Sequence, residues 1–280
     1  MSFLASVIRL ANMIFNAFGR FCLAPVAVLP GWLSLSLISA ITGFFFLIVF
    51  KYTSNQKAIG RVKDDMKAQM LAIKLFKDSI SVTLTAQCRL FKGALLLLVH
   101  AIVPMIVMIF PMSLLLAQMA LWYQYRPLLP QEQAVMTVQL NSNIEEPWPT
   151  VSIEPEPAFD VTLGPVKIFS KRQICWEIEA LQNGYSRIML RAGQQKIEKD
   201  LAVGDGLMRI SSKRPGWEWT DILLNPVEGP LRPDSIVRSV SIRYPDRPAS
   251  ASGADWWLAY FFVASMVFAF ILKPLCKVRL

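Results

Sequence analysis

The chain has 280 residues, of which 54% are hydrophobic and only 18% charged, with a formal net charge of +9 and a pI near 9.5. So little charge does not suit a water-soluble surface, and the balance points to a membrane protein. One histidine and four scattered cysteines (Cys22, Cys88, Cys175 and Cys276) exclude a His-rich metal site and a disulfide framework.

Residues 1–28 start apolar, without the basic region of a signal peptide. Arg9, Asn12, Asn16 and Arg20 recur at spacings of three and four, within a stripe about 80° wide on a helix. The pattern predicts an amphipathic helix lying in the membrane interface, with an uncleaved span or a poor signal peptide as the alternative. Pro25 and Pro30 end that helix and precede the first span, residues 31–50.

A span needs about 20 apolar residues to cross a core about 30 Å thick. Residues 31–50, 94–122 and 256–272 fit as three transmembrane helices; the second contains Pro104 and Pro111, which are expected to bend it. Trp32, Trp122, Tyr123, Tyr125, Trp256 and Trp257 flank these runs on one side, as an aromatic belt does. Between Lys51 and Lys92 there are nine Lys or Arg against three Asp, and the tail 273–280 adds Lys273, Lys277 and Arg279. Short basic segments stay cytosolic. The expected location is therefore the cytoplasmic (inner) membrane, multi-pass, with the N-terminus and the large segment outside and residues 51–92 and the tail inside.

Residues 51–92 read as a basic helical hairpin. Ile59, Val62, Met66, Gln69, Ile73, Phe76 and Ile80 follow a heptad-like spacing, and Asp78-Ser79 marks the turn. Residues 127–252 change character. Alternating runs at 135–140, 159–164, 174–181, 185–192, 196–201, 207–212 and 236–244 are separated by turn signals, among them Gly164-Pro165, Asn183-Gly184 and Ala192-Gly193. They predict an inserted all-β, sandwich-like external domain of seven or eight strands. Trp217–Pro226 is either a short helix or an irregular crossing.

No nucleophile elbow, phosphate loop or dinucleotide fingerprint is present, so no enzyme activity and no cofactor are expected. The scarce polar residues inside the spans are more informative. His100 and Gln118 share one side of the second span with Pro104 and Pro111, and Ser36, Ser39 and Gly43 form a stripe on the first. Polar groups are costly in lipid, so these stripes either pack helix on helix or line a hydrophilic groove.

The order of interfacial helix, span, basic hairpin and Pro-containing span resembles the YidC-type membrane protein insertase superfamily. The pattern "KYTSNQKAIGRVKDDMKAQMLAIKLFKD" carries much of the resemblance. In size the chain is similar to three-span members, including archaeal homologues and the third subunit of the ER membrane protein complex. The similarity covers about residues 1–125 and 255–280; the first span carries no arginine, which bacterial members have there. It implies an insertase and chaperone for nascent membrane proteins, with Ser36, Ser39, His100 and Gln118 as candidate groove residues. Lys57, Arg61, Lys63, Lys67, Lys74 and Lys77 become candidate contacts for the nascent chain or the ribosome. Expected partners are the lipid bilayer, nascent membrane proteins, the ribosome and an envelope protein for the β-domain, with no DNA. The alternative is a membrane-anchored β-sandwich binding protein of the cell envelope.

Overall fold

The structure, a computed structural model, describes residues 3–23, 29–76, 78–141, 148–247 and 256–276. Pro25, Lys77, Lys277 and Arg279, named above, lie outside the described residues, as does the side chain of Arg20. The chain divides into two compact units, Met1–Leu35 with Ser113–Leu258, and Ser36–Met112 with Ala259–Leu280.

Six helices are present among the described residues: α1 (Phe3–Leu23), α2 (Gly31–Thr53), α3 (Gln56–Leu75), α4 (Ile80–Tyr123), α5 (Trp219–Leu224) and α6 (Trp257–Cys276). α2, α4 and α6 are long and apolar enough to cross a membrane. Three such helices make this a multi-pass membrane protein by length and composition. α2 starts on the Pro30 carbonyl, which accepts from Leu33 N and Ser34 N. α3 starts on Asn55, whose side chain accepts from Ala58 N at 3.1 Å. α4 runs for 44 residues straight through Pro104 and Pro111. Neither proline breaks it, because a spanning helix keeps its other backbone bonds where no water competes for them.

Among the described residues there are eight strands, β1 (Gln133–Leu140), β2 (Val151–Ile153), β3 (Phe159–Ile168), β4 (Gln173–Ala180), β5 (Gly184–Ala192), β6 (Gln195–Val203), β7 (Lys213–Arg214) and β8 (Val237–Ile242). They form a five-stranded sheet, order β3-β4-β1-β8-β7, and a three-stranded sheet, order β2-β5-β6. All pairings between these strands are antiparallel. Inward residues of both sheets meet in one core, for example Met136, Trp176 and Val240 from the larger sheet and Ile188, Leu190 and Leu201 from the smaller. Tyr244, just after β8, accepts from the Ala202 amide of β6 at 3.0 Å and so links the two sheets. Burial pushes the Tyr244 phenol well above its ordinary pKa.

Three local expectations are corrected. Asn183-Gly184 does not close a hairpin, because β4 and β5 belong to different sheets; the dipeptide carries the chain between them. Gly164-Pro165 lies inside β3. A Cβ on Gly164 would come within 2.8 Å of Trp176, and its φ of +123° suits only glycine, so this is a bulged edge strand and not a turn. Residues 207–212 form no strand; Ile210 N donates to Leu121 O and the Ser211 carbonyl accepts from Lys199. Their backbone is used across elements and not in a ladder. The short helix read at Trp217–Pro226 is α5.

Candidate functional site

In the unit Ser36–Met112 with Ala259–Leu280, α2 meets α6 through its small residues. Ser36 Oγ lies 2.6 Å from Tyr260 Oη. A Cβ on Gly43 would approach the Ser265 carbonyl oxygen to 2.5 Å and Ala269 N to 3.3 Å, so the two backbones are nearly in contact. Ser39, between them on the stripe, is fully buried. His100 is half-buried, and its Nδ1 lies 2.6 Å from the Leu96 carbonyl of its own helix. Pro104 has no N–H to offer the His100 carbonyl. Ring and carbonyl thus form one polar spot on α4.

The hairpin of α3 and the first part of α4 belongs to the same unit. Gly93 of α4 fits against Met66 and Val62 of α3, where an added Cβ would come within 2.6 Å of the Met66 side chain. Ile59 is buried and Val62, Met66, Gln69 and Ile73 are half-buried, so the predicted seam forms over these positions. It does not reach Phe76 or Ile80, which are 54% and 76% exposed. Near the turn the hairpin also exposes Met70, Leu71, Leu75 and Leu84. With Phe76 and Ile80 these are six large apolar side chains exposed close to the turn in sequence, and exposed apolar surface of this kind marks interaction sites.

The same hairpin exposes basic residues. Lys57, Arg61, Lys67 and Lys74 are exposed. Lys67 lies 3.7 Å from Asp64, and both side chains are too exposed for the pair to contribute much. Lys63 is half-buried, and its pKa is lowered by burial first and then by the neighbouring ammonium groups of Lys273 and Lys67. Clustered cations of this kind attract an anionic partner.

Gln118 belongs to the other unit, and its bonds there run toward α1 and the β region. Its Nε2 donates to Asn16 Oδ1 at 2.8 Å, and its Oε1 accepts from Arg209 Nη2 at 3.0 Å. Arg209 Nη2 also donates to Asn16 Oδ1 at 2.6 Å. Asn12 Nδ2 and Asn16 Nδ2 donate to the carbonyls of Ile222 and Pro226 at 2.6 and 2.5 Å. Ala5 and Ile8 pack on Ile222 of α5, and Arg9 lies over the Trp217 ring at 5.8 Å. The polar stripe of α1 is therefore a docking face. Val7, Leu10, Met13 and Ile14 remain exposed beside it, as an interfacial helix requires.

Two further residues escaped the sequence reading. Lys199 on β6 is completely buried, with Nζ 2.5 Å from Glu228 Oε1, 2.6 Å from the Ser211 carbonyl and 3.1 Å from that of Asp200. Burial holds its pKa below the usual lysine value, while Glu228 pulls the other way. The signal was present, since Lys199 shares the inward parity of Ile197 and Leu201. Arg209 had no comparable local signal. Its partners Gln118 and Asn16 are 91 and 193 residues away.

No protein-family model, no curated protein and no solved structure matches this chain.

Proposed function

We propose that this chain is an insertase-like membrane protein that receives apolar segments of nascent membrane proteins on its helical hairpin. The observation that carries this reading is the apolar surface of Met70, Leu71, Leu75, Phe76, Ile80 and Leu84. It lies near the turn of a hairpin that also exposes Lys57, Arg61, Lys67, Lys74, Arg89 and Lys92. An apolar segment arriving from water gains about 25 cal/mol per Å² buried there, and the lysines favour acidic flanking residues or ribosomal phosphates. In this reading the hairpin is cytosolic, as its nine-to-three excess of basic residues predicts. The His100 spot and the Ser36 stripe on α2 lie along the route from hairpin to bilayer, and Gln118 holds α1. The eight-stranded region faces the outside as a sandwich-like domain.

The test is reconstitution. Full-length chain in liposomes should raise membrane insertion of a short single-span substrate, and Leu71→Asp with Phe76→Asp should abolish that gain without lowering the melting temperature. Equal insertion by both proteins would defeat the proposal. The second reading, a membrane-anchored envelope binding module, would then stand, supported by the two-sheet region with its own core.

A further inference from the structure

The net charge of the protein sits in one of its two units. Residues 36–112 with 259–280 carry twelve Lys or Arg against three Asp, which is the whole of the +9. The other unit carries seventeen of each sign. The three acids of the basic unit are all on the hairpin. Asp64 lies 3.7 Å from Lys67, Asp65 accepts from Gln69 Nε2 at 3.4 Å, and Asp78 is exposed at the turn. Among the described residues, Lys67–Asp64 is the one ion pair of this unit.

Helix contacts bring four lysines to one level. Ser36 of α2 meets Tyr260 of α6, and Gly43 meets Ser265 and Ala269, so the two helices run parallel. Lys51 lies eight residues past Gly43, about 12 Å at a rise of 1.5 Å per residue. Lys273 lies eight residues past Ser265, and both lysines stand in the last turn of their helices. Two residues separate α2 from α3, and Lys63 follows about two turns into α3. Gly93 of α4 fits against Val62 and Met66 of α3, so Lys92 and Lys63 flank one contact. Lys63 is close enough to Lys273 for the ammonium of one to lower the pKa of the other. Lys51, Lys63 and Lys273 are half-buried and Lys92 is exposed. Half-buried ammonium groups that face one another without a carboxylate between them favour an incoming anion. The ends of spanning helices stand at the level of lipid phosphates.

We infer that Lys51, Lys63, Lys92 and Lys273 hold the phosphate of an anionic phospholipid at the basic end of the spanning helices. The bound lipid would tie the base of the hairpin to α2 and α6. This rests on α2 and α6 spanning a membrane and is independent of what the hairpin tip receives.

The test uses full-length chain in a neutral detergent, with lipid adducts counted by native mass spectrometry. Phosphatidylglycerol should bind more tightly than phosphatidylcholine. A lysine near an anionic surface is worth roughly fivefold in affinity, so Lys63→Gln with Lys273→Gln should weaken phosphatidylglycerol at least about tenfold. The same variant should leave phosphatidylcholine unchanged, and Lys63→Arg with Lys273→Arg should restore binding. Lys167→Gln with Lys171→Gln removes the same charge from exposed positions of the β region and should change nothing. Should the first variant fail to fold, Lys51→Gln with Lys92→Gln must weaken phosphatidylglycerol instead. Equal affinity for the two lipids, or an equal loss in the Lys167 and Lys171 variant, overturns the inference. Millimolar inorganic phosphate that competes as well as the lipid makes this a soluble-phosphate site and overturns the lipid assignment. A short RNA that displaces the lipid, and loses binding in the Lys63 and Lys273 variant, overturns it in favour of RNA.

Discussion

The Lys199–Glu228 pair offers the sharpest test of the outer region. Lys199 is 0% exposed and Glu228 is 8% exposed at the side chain. Glu228→Gln keeps the shape and removes the counter-charge, leaving an ammonium group held by the carbonyls of Ser211 and Asp200. Breaking a buried pair in this way costs about 3–5 kcal/mol. At about 2–4 °C per kcal/mol for a domain of this size, the melting temperature should fall by roughly 6–20 °C at pH 7. The pH dependence has a definite sign. Because the folded pKa of Lys199 lies below 10.5, the unfolded chain binds more protons between the two values. Stability contributed by this group therefore rises with pH across that window. In Glu228→Gln the attraction that opposes the shift is gone, so the window extends to lower pH and the variant should recover stability as pH rises from 7 to 9. Lys199→Met with Glu228→Leu, which removes both charges, should regain most of the loss or exceed wild type. Thermal unfolding of the full chain in detergent, followed by tryptophan fluorescence at several pH values, measures all of this. Glu228→Gln within about 1 kcal/mol of wild type, the upper end for a surface pair, would refute the reasoning.

Gly43→Ala should cost on the order of 1–3 kcal/mol, read as a lower melting temperature, because its Cβ would press on the Ser265 carbonyl. Asn16→Leu should cost about 1–3 kcal/mol and make α1 accessible to protease, since it strips an acceptor from both Gln118 and Arg209; an equally resistant α1 would count against the docking. Glu132 is held below its ordinary pKa by Arg126, with oxygen–nitrogen distances of 2.7 Å. Its stabilisation is present above pH 4.5 and lost as pH falls through the lower folded value, so Glu132→Gln should flatten the acid limb of the unfolding curve. In a cysteine-free background, an impermeant maleimide on spheroplasts should label Ser170→Cys in the exposed β3–β4 turn and spare Asp78→Cys at the hairpin tip; the reverse pattern would invert the topology.

The three long apolar helices were legible because a run such as Gly31–Phe50 is continuously apolar over about the length that crosses a bilayer, whereas their ends run past the apolar runs, α2 to Thr53 and α6 to Cys276. Alternation located most strands, since β1, β4 and β6 each bury alternate residues over much of their length. Sheet membership was not legible. Asn183-Gly184 carries a hairpin signal, yet β4 already has β1 and β3 as neighbours and β5 finds β2 and β6. Local turn chemistry does not say which strand completes a sheet. Gln118 shows a second limit. A polar residue inside an apolar run announces that it has a partner but not which one, and here the partners are 102 and 91 residues away. Phe76 and Ile80 show a third, because heptad spacing continued past the point where the two helices stay in contact.

The central claim is that the hairpin tip receives apolar nascent segments. A photo-reactive residue placed at Leu71 or Phe76 of the full chain, in membranes carrying stalled ribosome–nascent-chain complexes, tests it directly. Crosslinks should appear when a hydrophobic segment has just left the ribosome, disappear when that segment is replaced by a polar one, and be absent from Lys57, at the other end of α3 from the tip. Crosslinks that ignore the hydrophobicity of the nascent segment, or none from Leu71 and Phe76, would contradict the claim.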